Sequence, residues 1–183
     1  SGDYLSLADS DDWNFGSGDF TIDFWVSFNS FYHTIALISQ HDDDFNNWKI
    51  YLNPTNTNLK FTVDNTDKVT YNKGSAIFNI GQWYHIAFVN NGGIGQFYID
   101  GSSVGSSGSV GTIRNYSTEL QIGSSREAGA DSGYCFNGCL DEFRVSKGIA
   151  RWTANFTPPS APYETDTTPP TVSSTSPSNS ATG

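Results

Sequence analysis

An all-β fold of two stacked antiparallel sheets is what this sequence of 183 residues predicts. Three observations carry that reading. Apolar and polar residues alternate over short runs. Gly, Asn and Asp punctuate the chain between those runs. No stretch rich in Ala, Leu, Glu and Lys offers a long helix. Composition agrees: aromatics make up 15% and glycines number 18, so the core is built largely from Phe, Tyr and Trp and the chain turns often.

The first strong element is Phe20–Phe28, where Phe20, Ile22, Phe24, Val26 and Phe28 alternate with Thr21, Asp23, Trp25 and Ser27. Period two puts the even positions toward a core. Gly16 to Asp19 punctuates the chain before it. Similar runs follow at 34–39, 48–52, 59–63, 83–89, 96–99, 119–123 and 139–145. Asp100-Gly101 suits a type I′ hairpin, since both residues tolerate positive φ. About ten to twelve strands are expected, with one short turn at 147–151.

The character changes beyond Phe156. Pro158, Pro159, Pro162, Pro169 and Pro170 remove donors and fix φ, so no sheet continues there. The expected organisation is one domain over 1–163, then a Pro/Thr/Ser-rich linker over 164–183. The sequence reads as a piece of a longer exported protein, secreted or at a cell surface, with neighbouring domains in the same chain.

The formal charge of −10, with nine scattered basic residues, argues against nucleic acid and anionic membrane surfaces as partners. It argues more weakly against strongly anionic polysaccharides, and is compatible with neutral glycans. No apolar run approaches the roughly 18 residues of a membrane span.

The runs 20–26, 83–89 and 97–101 form an ordered series with Ile122-Gly123, Phe136-Asn137-Gly138 and 140–145. That series resembles the laminin G-like, concanavalin A-like jelly-roll domains of bacterial secreted proteins, over roughly residues 1–163. Residues 149–156 resemble their closing segment, and Asp166 to Pro170 resembles the entry to a bacterial immunoglobulin-like repeat. The resemblance implies a calcium-supported jelly-roll sandwich used for glycan or protein recognition. It implies calcium at Asp141, with Asp9 and the Gly18 carbonyl as partners. A turn cap pairing Asp141 with Arg144 or Lys147 is the alternative.

Some relatives of this fold are glucanases carrying two glutamates around an aspartate on one strand. Here the glutamates are Glu119, Glu127, Glu142 and Glu164, and no strand holds such a set. A catalytic role is therefore not expected, and His85 reads as a hydrogen-bonded core residue. Asp42 to Asp44 reads as a solvated loop.

Glycan binding needs a ring face beside hydrogen-bonding side chains. Phe45, Asn46, Asn47 and Trp48 supply both in one stretch, with Tyr71, Asn72, Tyr116 and Arg126 as further candidates. Trp48 has the alternative of being core. Cys135 and Cys139 read as a local disulfide across the Phe136-Asn137-Gly138 turn, with free thiols as the alternative. The expectation is a non-catalytic carbohydrate-binding or adhesion module whose partner is a polysaccharide or surface glycan. A structural spacer or protein-binding domain in an adhesin is its rival.

Overall fold

A computed structural model of the chain describes residues 4–125 and 134–163. Two antiparallel sheets face each other across one core, as a jelly-roll sandwich. The six-stranded sheet runs β1 (Leu5–Leu7), β10 (Leu120–Ile122), β3 (Ile35–Asp43), β4 (Asn46–Leu52), β5 (Asn58–Val63), β6 (Thr66–Asn72). The five-stranded sheet runs β11 (Gly138–Lys147), β2 (Phe20–Phe28), β7 (Trp83–Asn91), β8 (Ile94–Ile99), β9 (Ser102–Ser109). A single 3₁₀ turn at Asp11–Trp13 is capped by the Ser10 hydroxyl, which accepts from Asp12 N.

The alternation in the sequence becomes the core. The even residues of β2 meet Trp48, Ile50, Leu52, Leu59 and Phe61 from the opposite sheet. Rings dominate the contact: Phe61 stacks on Phe88 at 4.2 Å and Phe15 on Phe20 at 4.2 Å. Asp100 and Gly101 both have positive φ, 48° and 76°, as the type I′ turn between β8 and β9 requires.

β11 carries a bulge. Asp141 pairs with Trp25 and Arg144 with Asp23, so Glu142 and Phe143 together oppose Phe24. The extra residue is what lets Leu140, Phe143 and Val145 all pack against the core at spacings of three and two. Phe143 then stacks on Phe24 at 4.8 Å.

After Gly148 the chain turns back and crosses the outer face of the five-stranded sheet as a strap. Thr21 Oγ1 donates to the Ile149 carbonyl at 2.9 Å and accepts from Arg151 N at 3.0 Å. Trp152 and Phe156 stack at 3.9 Å and cover Ala87, Val89 and Tyr98 as a second small cluster. The odd residues Thr21 and Asp23 are consequently as buried as their even neighbours.

The expected disulfide is not formed. Cys135 and Cys139 are free thiols. Their segment is drawn out between strands rather than folded into a turn: the Tyr134 carbonyl accepts from Ala36 N, Phe136 N donates to Gly123, and the Asn137 carbonyl accepts from Asn29 N. Residues four apart in extended chain are separated by about 13 Å, twice the reach of a disulfide.

Candidate functional site

The two outer faces differ. Under the strap, Asp23 is fully buried and holds Arg144 in two parallel bonds, from Nε at 3.0 Å and Nη2 at 2.9 Å. Tyr163 donates its hydroxyl to the same carboxylate, and His85 Nε2 lies 3.5 Å away. Arg144 also lies 3.7 Å from the Tyr163 ring centre. This cluster fastens the strap.

The outer face of the six-stranded sheet is polar. Gln121, Ser39, Lys49, Thr62 and Asp67 are directly paired, one to the next, across β10, β3, β4, β5 and β6. Their strand neighbours Leu120, Ile38, Trp48 and Phe61 belong to the core, so period two turns the whole row outward. Two rings flank it. Lys49 Nζ lies 5.6 Å from the Tyr51 ring centre and 5.7 Å from that of Tyr134, and donates to Asn65 Oδ1 at 3.1 Å. Lys60 pairs with Asp67 at 2.7 Å beside Tyr51. Burial and the neighbouring Asp67 charge raise the Tyr51 pKa, and the hydrogen bond to Asp67 raises that of Lys60.

Three atoms at this face, Thr62 Oγ1, Gln121 Oε1 and Ser125 Oγ, are buried without a hydrogen-bond partner. Each such atom costs about 1–3 kcal/mol unless something polar meets it. Rings beside hydroxyl, amide, ammonium and carboxylate groups are the chemistry that holds a sugar: C–H groups pack on the ring while hydroxyls bond to the polar groups.

The residues singled out from sequence land elsewhere. Trp48 is wholly buried in the core, its Nε1 donating to Gln40 Oε1 at 3.1 Å, so it offers no platform. Asn47 is buried too, bonding the Asp43 carbonyl at 2.8 Å. Phe45 is 77% exposed at the β3–β4 turn, and the carbonyl behind it accepts from Arg114 at 2.5 Å. Asn46 holds both oxygens of Asp43 at 2.9 Å, and this amide together with Phe45 N holds the Asp43 carboxyl below its ordinary pKa. Tyr116 is buried, donating to Asp64 at 2.7 Å; burial first, then that bond, raises its pKa. Phe45, Asn46 and Tyr116 thus share one edge. Tyr71 and Asn72 do not join them, because they close β6 at the end away from its turn with β5. Arg126 lies outside the described residues.

The expected calcium ligands do not converge. The Gly18 carbonyl accepts from Asn90 at 2.8 Å, and Asp9 meets Gln40 at 3.4 Å. Asp141 pairs with Trp25, seven residues along from Gly18 and on the order of 20 Å away. Its Oδ1 accepts from Glu142 N at 2.9 Å, inside the bulge. Six to eight oxygens around one ion cannot be gathered from these three. Among the described residues no group of three or more His, Cys, Asp or Glu stands ready for a metal.

Comparison with known proteins agrees with this architecture. A family model described as the concanavalin A-like lectin/glucanases superfamily matches residues 1–151. The chain belongs to that superfamily. A search of curated proteins finds no match. Among solved structures, domain 4 of an extracellular arabinanase from Geobacillus stearothermophilus, in complex with arabinotriose, is similar at 22% identity and TM-score 0.58, over 79% of this chain and 66% of that one. Domains LG4-5 of the mouse laminin α1 chain give 16% and 0.58, over 79% and 39%. The carbohydrate-binding module of a Ruminococcus gnavus sialidase, bound to α2,3 sialyllactose, gives 11% and 0.56, over 74% and 78%. At these identities the likeness is one of fold. This superfamily chain spans well under half of the laminin pair and about two thirds of the arabinanase domain. No helix among its described residues is long and apolar enough to cross a membrane.

Proposed function

We propose that this chain is a non-catalytic glycan-binding module of an extracellular protein, and that it binds through the outer face of the six-stranded sheet. The observation that carries the reading is the polar row between Tyr51 and Tyr134, with three buried oxygens left without partners. Similar solved folds in complex with arabinotriose and with sialyllactose support the class of ligand. Both glutamates among the described residues are engaged: Glu142 accepts from Tyr163 N at 2.6 Å, and Glu119 accepts from Gln121 at 2.8 Å.

Affinity electrophoresis against a panel of polysaccharides is the test. Stacking of an aromatic ring on a base is worth roughly 1–3 kcal/mol. On the lower part of that scale, Tyr51→Ala weakens binding about five- to thirtyfold with the melting temperature preserved. A folded Tyr51→Ala protein with full affinity moves the site to the Phe45 edge. No retention by any glycan moves the reading to protein binding. Exposed Tyr4, Leu5 and Leu7 on edge strand β1 and just before it would then be the surface to examine.

A further inference from the structure

The molecule carries a net charge of −10, yet three of its nine basic residues share one groove. Arg144, Lys147 and Arg151 line a cavity of about 510 Å³ with Asp12, Trp13 and Ser146, where β11 and the start of the strap meet the 3₁₀ turn. That volume is within the usual range for ligand pockets, about 300–1,000 Å³. Arg144 is neutralised by Asp23. Lys147 and Arg151 are not neutralised. Lys147 Nζ donates to the Asp11 carbonyl at 2.5 Å, and Arg151 Nε to Ser146 Oγ at 2.6 Å. Among the described residues neither has a carboxylate at ion-pair distance.

This leaves both terminal nitrogens of Arg151 and two N–H groups of Lys147 free to donate. Trp13 lines the same groove, and its Nε1 is buried with no hydrogen-bond partner. Asp12 is the one carboxylate on the lining, and it already accepts from Ser10 Oγ at 3.0 Å.

We propose that this groove is a second binding site, selective for an oxyanion carried on an acidic glycan, either a uronate carboxylate or a sulfate ester. It lies apart from the outer face of the six-stranded sheet and rests on the glycan reading only for the nature of the carrier. The guanidinium fork matches the two oxygens of such a group, and bonds between charged partners are the strong ones. The overall negative charge does not forbid it. At physiological salt, charges beyond about 8 Å are largely screened, so the groups on the lining, Lys147 and Arg151 against the one carboxylate of Asp12, set the field in the groove.

The test uses the whole chain and four probes: inorganic sulfate, a sulfated oligosaccharide, an oligogalacturonate and a neutral oligosaccharide of equal length. Titrations run at about 50 mM and about 300 mM salt. The acidic oligosaccharides should bind more tightly than the neutral one and weaken with salt. Arg151→Ala should lose at least about tenfold, the worth of one charge-assisted bond. Arg151→Lys should fall between, since it keeps the charge and loses the fork. Both basic side chains are exposed, so the variants should melt as the parent does. The Trp13 indole N–H resonance should move on titration, and the uronate and sulfate arms identify the oxyanion. Acidic and neutral probes of equal affinity overturn the inference, as does a folded Lys147→Ala/Arg151→Ala protein with undiminished affinity. Inorganic sulfate binding as tightly as the sulfated oligosaccharide overturns the glycan carrier. Tyr51→Ala separates the two sites: acidic binding that persists in it keeps this groove, whereas neutral glycans that bind neither the parent nor the variant remove the sheet-face reading.

Discussion

Asp23 is a carboxylate shut away from water, and its partners arrive from three segments: His85 on β7, Arg144 on β11 and Tyr163 at the end of the strap. Burial works to raise its pKa; hydrogen bonds from His85, Arg144 and Tyr163 outweigh it and hold the group below its ordinary value. A lowered folded-state pKa stabilises the fold above the unfolded pKa, about 4, and that contribution is lost as pH falls through the folded value. Melting temperature should therefore drop below about pH 4, and Asp23→Asn should flatten that acid limb. At neutral pH, Arg144→Ala strands the buried charge and should cost about 3–5 kcal/mol, roughly 10 °C in a melting scan. Trp48→Ala belongs with it as a stability variant. Removing a fully buried indole should cost about 3–5 kcal/mol, and loss of glycan affinity without loss of stability would contradict the core assignment. The parity of Trp48, Ile50 and Leu52 was the available sign that the ring points inward. The attraction of two asparagines beside it obscured that sign.

At the scale of elements, the longer strands with apolar alternation were legible, whereas strands without it, and the three-residue β1, were not. β9, Ser-Ser-Val-Gly-Ser-Ser-Gly-Ser, has almost nothing to alternate, and forms because Ile99 and Ser102 are brought together by the turn at Asp100-Gly101. β6 was missed for a similar reason, having only Val69 and Tyr71 on its inner side. The Cys135–Cys139 stretch resembled a turn because Asn-Gly favours one, but three backbone bonds to separate strands extend it. Alkylation of the unreduced, unfolded protein should accordingly modify both thiols, and an intact mass that gains two hydrogens on reduction would contradict the structure. Trp152→Ala uncovers Ala87, Val89 and Tyr98 and should cost about 2 kcal/mol, roughly 4–8 °C, measured by thermal denaturation.

For the whole molecule, the sandwich could be read from period two, but the candidate site could not. Ser39, Lys49, Tyr51, Lys60, Thr62 and Gln121 each sit at an outward position that alternation reveals. That they form one row depends on cross-strand register, which turns and bulges set and no local pattern displays. The same holds for Asp9, Gly18 and Asp141, scattered once the strands are in place. The strap has a consequence in time. Thr21 waits 128 residues for Ile149, and Asp23 waits 140 for Tyr163. At about 5–20 residues per second, a chain under synthesis spends roughly 7–28 s with β2 made and its outer side unsealed. Contacts of such long separation also form slowly once the chain is complete. A nascent chain halted before residue 150 offers Ala87, Val89 and Tyr98 to whatever reads apolar surface at the ribosome's exit. The last stretch of the domain to be made is the one that withdraws them.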